Sequence, residues 1–122
     1  MASFIIEGGH RLSGDICPQG AKNEVLEILC AVLLTDSKVT VRNVPDILDV
    51  KNLIALLCEM GVAVEKIGEG AYRFDASAVN TDYIESDDFV WRSSRLRGSV
   101  MLVGPLLARF GKVALARPGG DK

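Results

Sequence analysis

Lys22 and Asn23 follow Gly20-Ala21 and open a run with helical apolar spacing, so an ammonium and a carboxamide stand at a helix start. The first amide protons of a helix lack intrahelical acceptors and its dipole is positive there. Such a place favours an anion, and Lys22 adds a full charge. Asn23 can both donate and accept, which suits a sugar hydroxyl. The plain alternative is a solvated lysine with no ligand. A second set is Arg92, Arg95 and Arg97, three guanidinium groups within six residues. A guanidinium grips phosphate or carboxylate through two parallel hydrogen bonds. The alternative is an exposed basic face paired with the acidic stretch containing Glu85, Asp87 and Asp88. The third place is Arg117-Pro118-Gly119-Gly120-Asp121. A glycine pair permits a mobile loop and close ligand approach, and Asp121 could act there as a general acid or base. An ordinary surface turn would read the same way.

Other chemistries find little support. The single histidine, His10, reads as a surface residue, and no metal-ligand constellation appears. Cys17, Cys30 and Cys58 are odd in number and widely spaced, unlike a zinc knuckle or redox pair. Cys30 and Cys58 lie in apolar runs and read as buried reduced thiols, which points to a reducing compartment. The net charge of -2 over 122 residues is a poor footprint for nucleic-acid binding. The N-terminus lacks the pattern of a secretory signal, and the apolar run from Ile28 to Leu34 is too short to cross a bilayer. A cytoplasmic protein that binds neither membrane nor nucleic acid is expected.

The elements that must position these groups follow from periodicity. Short strands are expected at Ser3–Gly8 and Asp15–Cys17, then a helix from Ala21 to Leu34 with Val25, Leu26, Ile28, Leu29, Val32 and Leu33 as its apolar face. Lys38–Arg42 reads as a strand. A second helix, capped by Asp46 or Asp49, runs to about Met60, with Gly61 as a left-handed cap. Val62–Ile67 and Ala71–Asp75 form a hairpin across Gly68-Glu69-Gly70. Thr81–Asp88 reads as a polar loop. Ser93 or Ser94 caps a third helix reaching Phe110, kinked or split by Pro105 and ended by Gly111. Val113 and Leu115 begin a further strand.

A shift of 74 positions brings Lys38–Val41 onto Lys112–Leu115, and Leu26, Ile28, Leu29, Val32 and Leu33 onto Val100, Leu102, Val103, Leu106 and Leu107. It also places Arg97 where Asn23 stands. One helix–strand unit is thus expected twice, complete to about residue 80 and begun again over 81–122. An unfinished unit leaves an apolar helix face and a strand edge without partners, so a missing remainder of the chain is expected.

Three segments in this order, GAKNEVLEILCAVLL, VRNVPDILDVKNLIALLCEMGVAVE and LRGSVMLVGPLLARFGKVALARPGGD, resemble the enolpyruvyl transferase family. The Lys22-Asn23 pair resembles the branch acting on UDP-N-acetylglucosamine; the branch acting on shikimate 3-phosphate typically has Lys-Ser there. The resemblance implies an α/β fold of βαβαββ units in an inside-out barrel. Residues 21–122 would be a partial first domain, and residues 1–20 would be strands packing with the second. It implies enolpyruvyl transfer from phosphoenolpyruvate to the 3-hydroxyl of UDP-N-acetylglucosamine in peptidoglycan precursor synthesis, with no cofactor. Lys22 would bind phosphoenolpyruvate and steady its developing charge, Asn23 would contact the sugar nucleotide, and Arg97 would hold phosphate or carboxylate. Asp121 stands where the commonest family version has a proton-donating cysteine, which implies resistance to fosfomycin, an epoxide that alkylates that thiolate. The 122 residues alone are expected to show no turnover. The competing readings are a shikimate 3-phosphate acceptor, and a non-catalytic βαβαββ interaction module.

Overall fold

The structure, a computed structural model, describes residues 2–115. Residues 2–20 form neither strand nor helix, and Phe4, Ile5, Ile6, Leu12 and Ile16 are almost fully exposed. The strands expected at 3–8 and 15–17 are therefore absent. A strand exists only through the backbone bonds of a neighbour, and no described residue supplies one here.

The first helix, α1, is Lys22–Ala31, continued by a tighter 3-10 turn at Val32–Leu34. Val25, Leu26, Leu29 and Cys30 bury its inner face, and Val32 and Leu33 extend it. Strand β1, Val39–Val41, follows, and then helix α2, Leu48–Glu59. Neither expected aspartate caps α2. Ile47 occupies the cap position without a side-chain bond, because each carboxylate is taken by a lysine: Asp46 by Lys51 at 2.9 Å, Asp49 by Lys22. Gly61 ends the helix with φ +99, as its position after Met60 requires. A Cβ there would lie 2.5 Å from the Ala78 carbonyl oxygen, so close packing reinforces the choice.

Strands β2, Ala63–Gly68, and β3, Ala71–Asp75, form the expected hairpin. The sheet order is β1-β3-β2, with β3 antiparallel to both neighbours. Strands β1 and β2 are consequently parallel, and α2 makes the crossover that parallel strands need. Phe74 on β3 is fully buried opposite Val39 and Val64.

The second half departs most from expectation. Ser86, not Ser93 or Ser94, caps helix α3, Asp87–Ser94: its hydroxyl accepts the Phe89 amide at 3.2 Å. Asp87 and Asp88 are first-turn residues that suit the positive end, so the acidic stretch is part loop and part helix. The Ser93 and Ser94 hydroxyls bond back to the Val90 and Trp91 carbonyls instead. The chain then breaks at Gly98, φ +84, passes through a 3-10 turn at Ser99–Leu102, and enters α4, Val103–Phe110. Pro105 does not kink α4. It sits in the first turn, where an amide proton is not required, and the break comes earlier. Gly111, φ +76, closes α4 as expected. No strand forms at 112–115; the Ala114 amide donates to the Ile84 carbonyl and Lys112 pairs with Glu85. The repeat is thus visible in its helical part, not in its strand.

Phe74, Phe89, Leu29, Leu33, Leu56, Leu57, Met60, Ile84, Leu102 and Leu106 form the fully buried core that joins the two halves. Half-buried Arg109 adds a polar tie. Its guanidinium donates to the carbonyls of Leu33 and Thr35 at 3.0 and 3.2 Å and lies over the Phe110 ring. Arg109→Ala strands two carbonyls at the end of the 3-10 turn. We expect it to lower stability by about 1–3 kcal/mol, read as an earlier urea midpoint of the intact protein. An unchanged midpoint would rule out this tie.

Candidate functional site

The start of α1 is placed by a close backbone approach. A Cβ on Gly20 would lie 1.9 Å from the Asn43 carbonyl oxygen, so only glycine lets this segment lie flush on the turn after β1. Asn43 itself adopts φ 57, a region that asparagine tolerates, and its side-chain amide donates to the Pro18 carbonyl at 3.4 Å. These contacts set the first turn of α1 beside the first turn of α2. Gly20→Ala must push the two backbones apart. It is expected to lower the melting temperature, whereas Gly104→Ala, with open space around its Cβ, should not do so to the same degree. Thermal melting of the two variants of the intact protein checks this.

Lys22 and Asn23 open onto a pocket of about 790 Å³ lined by Ala21, Leu26, Glu27, Arg97, Gly98 and Met101 as well. Arg97 comes from the connection after α3, with left-handed Gly98 next to it. Two cationic side chains from distant segments therefore share one pocket with the positive end of α1. Buried Leu26 and half-exposed Met101 give it an apolar side. Among the described residues Arg97 makes no ion pair, and Lys22 pairs with Asp49. The Lys22–Asp49 pair is partly exposed and adds about 1 kcal/mol or less to stability.

The other two arginines go elsewhere. Arg92 donates to Asp88 at 2.9 Å, and Asp88 also accepts the Tyr83 hydroxyl at 2.7 Å. The Tyr83 bond, then the Arg92 bond, hold the Asp88 carboxyl below its usual range. Arg95 lies over the Trp91 ring, 4.6 Å from its centroid. Both line a separate cavity of about 250 Å³ with Asn52, Leu56 and Trp91. The arginine cluster of the sequence is thus divided: Arg97 faces the α1 start, while Arg92 and Arg95 pair with α3's own residues. Asp121 and the rest of the Arg117–Asp121 segment lie outside the described residues.

Of the cysteines, Cys30 is buried, and burial with the Glu27 charge pushes its thiol up to about 12, a protonated and inert state at neutral pH. Cys58 is exposed, contrary to expectation, because it falls on the outer side of α2. His10 is exposed on the surface near Glu7. Among the described residues no cluster of His, Cys, Asp and Glu could hold a metal ion, and no helix is long and apolar enough to cross a membrane.

Sequence reasoning missed the partnership of Asp49 with Lys22, since a capping aspartate and a long-range partner look alike in sequence. It also missed Glu27 and Met101 as pocket walls; their places on α1 and after Gly98 carry no separate signal.

The chain is 64% identical over 122 residues to UDP-N-acetylglucosamine 1-carboxyvinyltransferase of Bacteroides fragilis and 65% identical to that of Bacteroides thetaiotaomicron; each match covers all of this chain and 28% of the relative. The chain therefore spans little more than a quarter of these relatives' length. The crystal structure of the enolpyruvyl transferase NikO from Streptomyces tendae superposes with a TM-score of 0.63 at 29% identity, covering 85% of this chain and 23% of that one. Residues 6–122 match the family model described as EPSP synthase (3-phosphoshikimate 1-carboxyvinyltransferase), and with it the chain belongs to the enolpyruvyl transferase family.

Proposed function

We propose that this chain, within a polypeptide of its relatives' length, serves transfer of the enolpyruvyl group from phosphoenolpyruvate to the 3-hydroxyl of UDP-N-acetylglucosamine. The reaction is an addition followed by elimination of phosphate through a tetrahedral intermediate, and belongs to cytoplasmic peptidoglycan precursor synthesis. The observation that carries the reading is the convergence of Lys22, Asn23 and Arg97 on one pocket at the α1 start. The relatives' names supply the acceptor, and the Lys22-Asn23 pair agrees with it.

In this reading Lys22 and Arg97 neutralise the phosphate and carboxylate of phosphoenolpyruvate, and fixed cations of this kind act most strongly where charge develops. Asn23 bonds the sugar nucleotide. Asp121 delivers the proton to the methylene carbon. A free aspartate titrates at about 3.9. As a donor Asp121 must be desolvated or set among anions, both of which raise its pKa. No cofactor enters. Residues 1–20 pack with a second domain, and their exposed Phe4, Ile5, Ile6, Leu12 and Ile16 are the surface they would bury there. Residues 21–122 contribute the first repeat unit and the start of the next.

The family model's description names 3-phosphoshikimate, so the acceptor is the point to test. Phosphate release by the intact protein, with phosphoenolpyruvate and each acceptor in turn, should be rapid with UDP-N-acetylglucosamine and at background with shikimate 3-phosphate. The reverse order would assign the protein to the other branch. Background release with both, and no shift in melting temperature, would favour a non-catalytic module.

A further inference from the structure

Lys22 Nζ lies 2.5 Å from the Asp49 carboxylate. Both residues stand in first turns, one of α1 and one of α2, so this single contact joins two helix starts. Asp49 makes no cap and does not line the pocket; it reaches the ammonium from outside. Its neighbour Asp46 is committed to Lys51. A partly exposed pair adds little to folding, so stability is a weak reason for it.

Geometry gives a better one. A lysine stem is flexible and its ammonium is a point charge with three rotatable donors. Asp49 occupies one donor and fixes the direction of the stem, leaving two donors for an anion in the pocket. We propose that Asp49 is a positioning residue, holding the Lys22 ammonium where the anionic donor substrate meets it; this rests on the reading of the pocket given above. It touches no reacting atom and acts only through Lys22.

A double-mutant cycle on the intact protein separates this role from a structural one. Asp49→Asn keeps the shape and removes the charge. It should lower kcat/KM for phosphoenolpyruvate by about 10- to 100-fold, the scale of a misplaced catalytic group. KM for UDP-N-acetylglucosamine and the melting temperature should be unchanged. In a Lys22→Ala background the same substitution should change nothing further, because residues acting as a unit are not additive. If Asp49→Asn melts early, the cycle is run with Asp49→Glu, which keeps the charge and alters its reach. Effects that multiply in the double variant would overturn the proposal. So would wild-type kinetics for Asp49→Asn in a protein that Lys22→Ala disables. Wild-type kinetics for Lys22→Ala would instead remove the pocket reading, and the role of Asp49 with it.

Discussion

Lys22→Ala in the intact protein is expected to lower kcat/KM for phosphoenolpyruvate by about 10²- to 10³-fold, the usual loss when one fixed donor to a developing charge is removed. The fold should survive. Lys22 is exposed at a helix start, and its one ion pair is worth little to stability. A large kinetic loss with an unchanged melting temperature is therefore the signature to look for. Lys22→Arg should recover only part of the activity, because a planar fork does not reproduce a compact ammonium beside Asp49. Steady-state phosphate release against phosphoenolpyruvate concentration measures both variants, and near-normal rates for Lys22→Ala would leave the pocket without its main cation.

The second large effect concerns Asp121. If it is the general acid, Asp121→Asn should cost about 10²- to 10⁴-fold in kcat. The unchanged protein should also keep its activity after incubation with fosfomycin, because an aspartate offers no thiolate to the epoxide. Asp121→Cys should introduce time-dependent, irreversible inactivation with an adduct on that cysteine. Rapid inactivation of the unchanged protein, with an adduct in the Arg117–Asp121 segment, would defeat the assignment.

What could be read from the sequence was mostly local. The hairpin between β2 and β3 follows from two apolar runs around Gly68-Glu69-Gly70, and Gly61 and Gly111 mark helix ends because both need positive φ. Most of the buried face of α1 follows from spacing: Val25, Leu26, Leu29, Val32 and Leu33 are buried as expected, whereas Ile28 is exposed at the edge of that face and Cys30 is buried. What failed depended on choices among similar signals or on distant partners. Ser86, Ser93 and Ser94 are all plausible caps; Ser86 prevails because Asp87 and Asp88 then fall in the first turn and Phe89 turns into the core. Pro105 is the stronger helix breaker by type, yet its place in the first turn of α4 is tolerated and the chain breaks at Gly98. The strands expected within residues 2–20 depend on a partner edge, which spacing cannot supply. At the site, Lys22 and Asn23 are legible as a helix start, but their meeting with Arg97 was suggested only by the 74-residue shift and the family resemblance. Asp49 was hidden because its position satisfies a local role as well as a distant one.

The claim on which the functional account stands is that Lys22 and Arg97 hold one anionic ligand together. Chemical footprinting of the intact protein tests it directly: acetylation of Lys22 and phenylglyoxal modification of Arg97, each followed by mass spectrometry, with phosphoenolpyruvate present or absent. Both residues should be protected in parallel at one ligand concentration, while Arg92 and Arg95, which line the other cavity, should not respond. Protection of only one of the pair, or of neither at saturating ligand, would contradict the account.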